Sequence, residues 1–268
     1  ASVYLASFYT ALDAGDYDIG RIAEDIYRDL VQSQPGRPAV TGKREIILVG
    51  HSLGGVIARE ILTRHPEAFQ GKRVGLLLVA SPSLGSREAD NFGRIAGIVN
   101  VAVVKELAWR SKTLTDLDEG FRQLIADKDT LLPGLEGIEI YEQFALTLDV
   151  IRSRSWLNAL YQTYWGRPIV ERESAAVYFT DQRLIAGSDH LSIARPLGTN
   201  DRQYVALYDL LERVWRADAT CKAPRGFGLE LDMLAQKPEP PPPDLTPAVL
   251  DTLPRYRLEQ FDPHGRLI

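Results

Sequence analysis

The stretch Ile46-Ile47-Leu48-Val49-Gly50-His51-Ser52-Leu53-Gly54-Gly55 decides the fold. Its first four residues are a continuous apolar run without alternation, the pattern of a strand covered on both faces in a parallel sheet. A G-x-S-x-G pentapeptide, Gly50 to Gly54, follows at once. Residues 53–64 then read as a helix that stops before Pro66. A serine on so sharp a strand-to-helix turn has strained backbone angles, and neighbours two positions away must lack bulk. Gly50, Gly54 and Gly55 are expected to supply that room. The turn lifts the Ser52 hydroxyl above the sheet. It also leaves the Leu53 N–H at a helix N-terminus, where negative charge is favoured. This arrangement suits nucleophilic attack by Ser52, with the oxyanion received at Leu53.

Working outward, strand and helix patterns alternate over the first 80 residues. Val3-Tyr4-Leu5-Ala6-Ser7-Phe8 reads as a short buried strand, and residues 16–32 carry Ile19, Ile22, Ala23, Ile26 and Leu30 at helical spacing. Val74-Gly75-Leu76-Leu77-Leu78-Val79 is a second continuous apolar run. The expectation is an α/β fold with a doubly wound, mostly parallel sheet. Residues 86–133 turn helical, with a stripe of Leu114, Leu117, Phe121, Leu124 and Ile125. Ile138-Glu139-Ile140-Tyr141 resumes the sheet, Ile169-Val170 reads as its last strand, and residues 204–215 as a closing helix. Residues 147–167 form an aromatic-rich insertion with Trp156, Tyr161, Tyr164 and Trp165, suited equally to a lid and to core. The division expected is a body over 1–217 and a Pro-rich linker and extension over 218–268, where residues 238–243 run Pro-Glu-Pro-Pro-Pro-Pro.

Composition bounds the chemistry. With 31 Lys+Arg against 36 Asp+Glu in 268 residues the net charge is -5, which disfavours nucleic acid as a partner. The single cysteine, Cys221, excludes a disulfide scaffold and a cysteine zinc site. No apolar run reaches ~18 residues, the length needed to span a bilayer. A cytoplasmic setting is expected from these features, with no metal or organic cofactor.

A serine hydroxyl at its ordinary pKa needs a base. Of four histidines, His51 adjoins Ser52 and points away from it, so it is expected to pack beside the nucleophile. His65 ends the elbow helix as a charge partner for its C-terminus, and His264 lies in the polar tail. His190, in the turn-rich Gly187-Ser188-Asp189-His190, satisfies the chain order serine, acid, histidine. The acid should stand at a strand end between the third apolar run and His190. Glu142 fits by position, and Asp149, Asp181 and Asp189 are its rivals, Asp189 disfavoured as the direct neighbour of His190.

These residues resemble lipase/esterase-type α/β-hydrolases, through Gly50-His51-Ser52-Leu53-Gly54-Gly55 and Ala80-Ser81-Pro82-Ser83-Leu84-Gly85-Ser86. Asn100-Val101-Ala102-Val103-Val104-Lys105-Glu106-Leu107 is similar to the cap region of the serine-active-site-containing, GPI-inositol-deacylase-like branch. Ile140-Tyr141-Glu142 and Val170-Glu171-Arg172-Glu173-Ser174-Ala175 resemble its two late strands, and Asp189-His190-Leu191-Ser192-Ile193-Ala194-Arg195-Pro196 its histidine loop. The resemblance covers residues 3–215. It implies an α/β-hydrolase fold with a helical cap over 86–133 and without its first strands. Ser52 is then the nucleophile, His190 the base and Glu142 the acid of a serine ester hydrolase whose partner is a lipid or other acyl ester. Peripheral contact with a membrane, and a further domain or partner met through the Pro-rich region, are compatible with it. Proteins of this kind open with a strand ending in a His-Gly-like loop that supplies a second oxyanion donor. Nothing before Val3 matches that strand, so the chain reads as starting one strand late. An acyltransferase with the same residues, or a non-catalytic interaction module on the same fold, are the alternatives.

Overall fold

The computed structural model describes residues 3–8, 18–34, 38–86, 101–143, 170, 172–216 and 256–261. Four strands, β2 (Glu45–His51), β3 (Arg73–Val79), β4 (Gly134–Glu142) and β5 (Gln182–Ile185), form a sheet in that order. Every neighbouring pair is parallel, with Glu45 opposite Arg73, Arg73 opposite Gly134, and Glu139 opposite Gln182. The strand after the acid is therefore residues 182–185. Val170, expected to lie in a strand, forms a bend, and residues 172–175 make one helical turn.

The non-alternating run of β3 is explained by two apolar layers. Val74, Leu76 and Leu78 face one cluster, shared with α1 (Ile19–Val31), α2 (Leu53–Arg64) and the apolar stripe of the helix Lys112–Ala126. Leu77 and Val79 face the other, where Ala206, Leu210 and Val214 of the closing helix Arg202–Arg216 cover the back of the sheet. Consecutive side chains on a strand point to opposite faces, so both parities must be apolar when both faces are covered. In chain order α3 is Val101–Glu106, α4 is Lys112–Ala126, α5 is Lys128–Leu131, α6 is Arg172–Ala175 and α7 is Arg202–Arg216.

The same reasoning fails in part for β2. Among the described residues it pairs with β3 alone, and Val49 is 54% exposed. The opening strand also differs from expectation. β1 (Val3–Phe8) is a strand, but it pairs antiparallel with β6 (Tyr256–Phe261) in a separate two-stranded sheet, with Val3 46% and Leu5 53% exposed. The rest of the expected extension, residues 218–255 and 262–268, and the aromatic insertion, residues 147–167, lie outside the described residues, as do Asp149, Cys221 and His264. Among the described residues no helix is long and apolar enough to cross a membrane.

Local chemistry fixes the helix ends. Asp18 caps α1 by accepting the Arg21 N–H at 2.8 Å, and Glu106 reaches back to accept the Ile19 N–H at 2.9 Å. His65, expected to complement a helix end by charge, caps α2 and stacks flat on Tyr27 of α1, with ring centroids 3.6 Å apart and Nε2 3.0 Å from Glu24.

Candidate active site

The elbow begins where β2 hands over to α2. Ser52 has φ 55° and ψ -127°, a left-handed conformation that costs a non-glycine residue free energy and persists only where its surroundings impose it. Those surroundings are tight. A Cβ on Gly50 would stand 2.6 Å from the Gly55 nitrogen, and one on Gly55 would stand 2.6 Å from Ser81 Cβ. Gly50 and Gly55 therefore provide the close approach. Gly54, expected to contribute, does not: a Cβ there meets open space. The Ser52 N–H donates to the Val79 carbonyl at 2.9 Å, continuing the β2–β3 ladder into the turn. Ala80, beside it at the end of β3, is left-handed as well, with φ 45°.

Ser52 is 6% exposed, and its Oγ is buried without a hydrogen-bond partner. Ser52 Oγ therefore makes no bond to His190 in this conformation; such bonds often tighten only with substrate in place. Leu53 is the first residue of α2, and its N–H is one of those at a helix start that have no intrahelical acceptor.

His190 and Glu142 come together. Glu142 ends β4 and His190 lies in the loop after β5, at 2% and 1% exposure, with His190 Nδ1 2.9 Å from Glu142 Oε2. The other carboxylate oxygen accepts the Val170 N–H at 3.0 Å. Burying a carboxylate costs several kcal/mol unless partners replace water, and here both oxygens are engaged. The loop is tied to the end of β4 just before the histidine: Gln143 N–H donates to Ser188 O at 3.1 Å, and Gly187 N–H to Gln143 Oε1 at 2.8 Å.

Two rivals of Glu142 are committed elsewhere, and the third, Asp149, lies outside the described residues. Asp181 pairs with Arg183 at 2.8 Å and with Arg213, and the Arg183 hydrogen bonds hold its carboxyl down to about 2. Asp189 caps its own loop, accepting the N–H groups of Leu191 at 3.1 Å and Ser192 at 2.8 Å. His51 makes no hydrogen bond to the Ser52 hydroxyl; its Nε2 lies 2.8 Å from the His190 carbonyl oxygen. Burial, reinforced by the nearby His190, lowers its pKa to about 4.

Three further buried polar residues, none of them a site candidate from the sequence, hold the surrounding chain. Ser174 latches the loop after β3 by accepting the Leu84 N–H at 3.0 Å and donating to the Gly85 carbonyl at 2.7 Å. Glu139 accepts the backbone N–H groups of Val177, Tyr178 and Phe179, each at 2.9 Å in its shortest bond, and burial pushes its carboxyl up. Arg59, fully buried on α2, donates to the Tyr178 hydroxyl at 2.5 Å. Among the described residues no group of His, Cys, Asp and Glu is arranged to hold a metal ion.

Solved structures offer partial likenesses. Phospholipase PlaB from Legionella pneumophila, in its complex with thio-NAD, is 17% identical at a TM-score of 0.40, over 57% of this chain and 31% of that one. This chain thus spans about a third of that phospholipase. The mature form of Bacillus licheniformis lipase BlEst2 is 19% identical at a TM-score of 0.36, over 65% of this chain and 67% of that one. No curated protein matches the chain. The family model described as "Alpha/beta hydrolase family" matches residues 5–230, most of the chain and all of the sheet and elbow just described, and the chain belongs to that family.

Proposed function

We propose that the protein is a serine ester hydrolase working through an acyl-enzyme, with Ser52 as nucleophile, His190 as base and Glu142 as the acid behind it. The observation that carries this reading is a strained, buried serine with an uncommitted hydroxyl on the same sheet end as a buried His–Glu pair. Ser52 Oγ attacks the ester carbonyl carbon as His190 Nε2 takes its proton, and the Leu53 N–H receives the developing oxyanion. The imidazolium then protonates the leaving alcohol. Water, deprotonated by the same nitrogen, attacks the acyl-enzyme and frees the acid product and Ser52. Glu142 holds the Nδ1–H tautomer throughout and stabilises the imidazolium when it forms. The likeness of the histidine loop to the GPI-inositol-deacylase-like branch directs the first substrates tested toward acyl esters of lipids.

The test is covalent. A fluorophosphonate probe should label the wild-type chain at one site and fail to label Ser52→Ala. Equal labelling of both proteins would refute the assignment.

A further inference from the structure

His51 makes a bond that the spacing of the motif does not announce. Its Nε2 lies 2.8 Å from the backbone carbonyl oxygen of His190, across 139 residues of chain. A carbonyl oxygen only accepts, so Nε2 carries the hydrogen and Nδ1 of the neutral ring is bare. The two imidazoles lie side by side, centroids 5.0 Å apart and planes inclined by 41°. From this geometry we infer that His51 is a positioning residue: it ties the main chain of His190 to the turn that carries Ser52. The inference rests on the reading of Ser52, His190 and Glu142 as a hydrolytic triad.

The reason such a tie matters lies in what else holds His190. Glu142 fixes its ring from β4 through Nδ1. Gln143 holds the loop at Gly187 and Ser188, and Asp189 closes the turn at Leu191 and Ser192. All of these anchor the histidine loop to β4 or to itself. Ser52 belongs to a different element, the turn after β2, two strands away in the sheet. The bond from His51 joins those two elements directly, and it does so from the residue next to the nucleophile. A displacement of His190 relative to Ser52 must break or stretch it. The separation of base and nucleophile is the quantity on which proton transfer depends most steeply.

The experiment uses the full chain, p-nitrophenyl butyrate turnover, and three variants. His51→Phe keeps a ring against His190 and removes the donor, His51→Gln places an amide N–H within reach of the same carbonyl, and Ser52→Ala is the control. His51→Phe should lower kcat by about 10- to 100-fold, the order expected for a misplacement near 1 Å, with KM unchanged. His51→Gln should recover most of that loss. Wild-type kcat in His51→Phe, or equal losses in the Phe and Gln variants, would overturn the inference. Turnover that survives Ser52→Ala would instead sink the triad reading on which it rests, so the two failures are distinct. A readout that needs no substrate is the downfield His190 Nδ1–H proton resonance, which should exchange faster in His51→Phe. Unchanged exchange would also overturn the inference.

Discussion

Replacing Glu142 by Gln keeps the shape of the side chain and alters two things at once. Both carboxylate oxygens accept hydrogen bonds, one from His190 Nδ1 at 2.9 Å and one from the Val170 N–H at 3.0 Å. Gln has a single acceptor oxygen to divide between them. If that oxygen stays on Val170, the amide NH2 donates to Nδ1 and drives the imidazole hydrogen onto Nε2, where it blocks uptake of the Ser52 proton. If the amide is turned over, its NH2 meets the Val170 N–H donor to donor, costing about 1–3 kcal/mol in a buried site. The charge is lost in either case. Unit charges ~4 Å apart attract by about 4 kcal/mol at an effective dielectric constant of ~20. That attraction exists only after His190 has become imidazolium, so its loss falls on the barrier and not on ground-state binding. At about 1.4 kcal/mol per decade this is roughly three decades in rate. The wrong tautomer extends the expected loss in kcat to on the order of 10³–10⁴. Initial rates with p-nitrophenyl butyrate near neutral pH, alongside a thermal melt showing that the variant is folded, make the measurement. A folded Glu142→Gln protein within about tenfold of wild type would leave at most ~1.4 kcal/mol for the pair and refute the reasoning.

Three other outcomes follow from particular contacts. Gly55→Ala should abolish probe labelling and lower Tm, since the new Cβ would stand 2.6 Å from Ser81 Cβ; adding Ser81→Gly should restore part of both, and no restoration would show that the notch is not the cause. Leu210→Ala, at a fully buried position in the layer that covers the back of the sheet, should cost about 2–5 kcal/mol in urea unfolding, and a cost below that range would mean α7 is not a structural cover. Asp181 has a folded pKa of about 2 against 3.8 for the free group, so the folded state resists protonation and its contribution is present above pH 3.8 and lost as pH falls toward 2. The Tm gap between wild type and Asp181→Asn should accordingly close across that window, and a gap independent of pH would contradict the pairing with Arg183 and Arg213.

What could be read from the chain is what local chemistry dictates. Gly50 to Gly55 announce the elbow because strain at Ser52 and the approach of Gly55 to Gly50 are both satisfied within six residues. The apolar parity of β3 announces a sheet covered on both faces for the same reason. The misses share the opposite cause. β1 reads as a buried strand because its apolar content is high, yet its partner β6 lies at the far end of the chain, and no pattern in either strand names the other. Residues 182–185 carry no strand signal because Gln182 and Arg183 break the apolar pattern. Arg183 is accommodated there by Asp181 and Asp209, the latter brought in by α7. Ile169-Val170 reads as the better strand by composition, but the Val170 N–H is taken by Glu142 instead of by a sheet neighbour.

The two buried acids of β4 show why burial alone does not identify a catalytic carboxylate. Glu139 and Glu142 are three residues apart, hence on opposite faces of one strand, and both are almost wholly removed from water. A buried carboxylate needs partners that replace water, whether inside the strand as Glu139 is or at its end as Glu142 is. For Glu139 the reason is three backbone N–H groups from Val177 to Phe179, the segment that leads into β5. Its carboxyl is pushed up even so, which means that the fixed dipoles do not fully replace the water lost. They also cannot change: a peptide N–H offers the same partial charge at every stage of a reaction. Glu142 shares itself between one such N–H and an imidazole, the only partner in the group able to acquire a full charge and give it up again. An acid whose partners are all fixed dipoles can hold a chain segment in place. An acid facing a histidine can stabilise a charge that appears only in passing, and that difference, not depth in the core, separates the two residues.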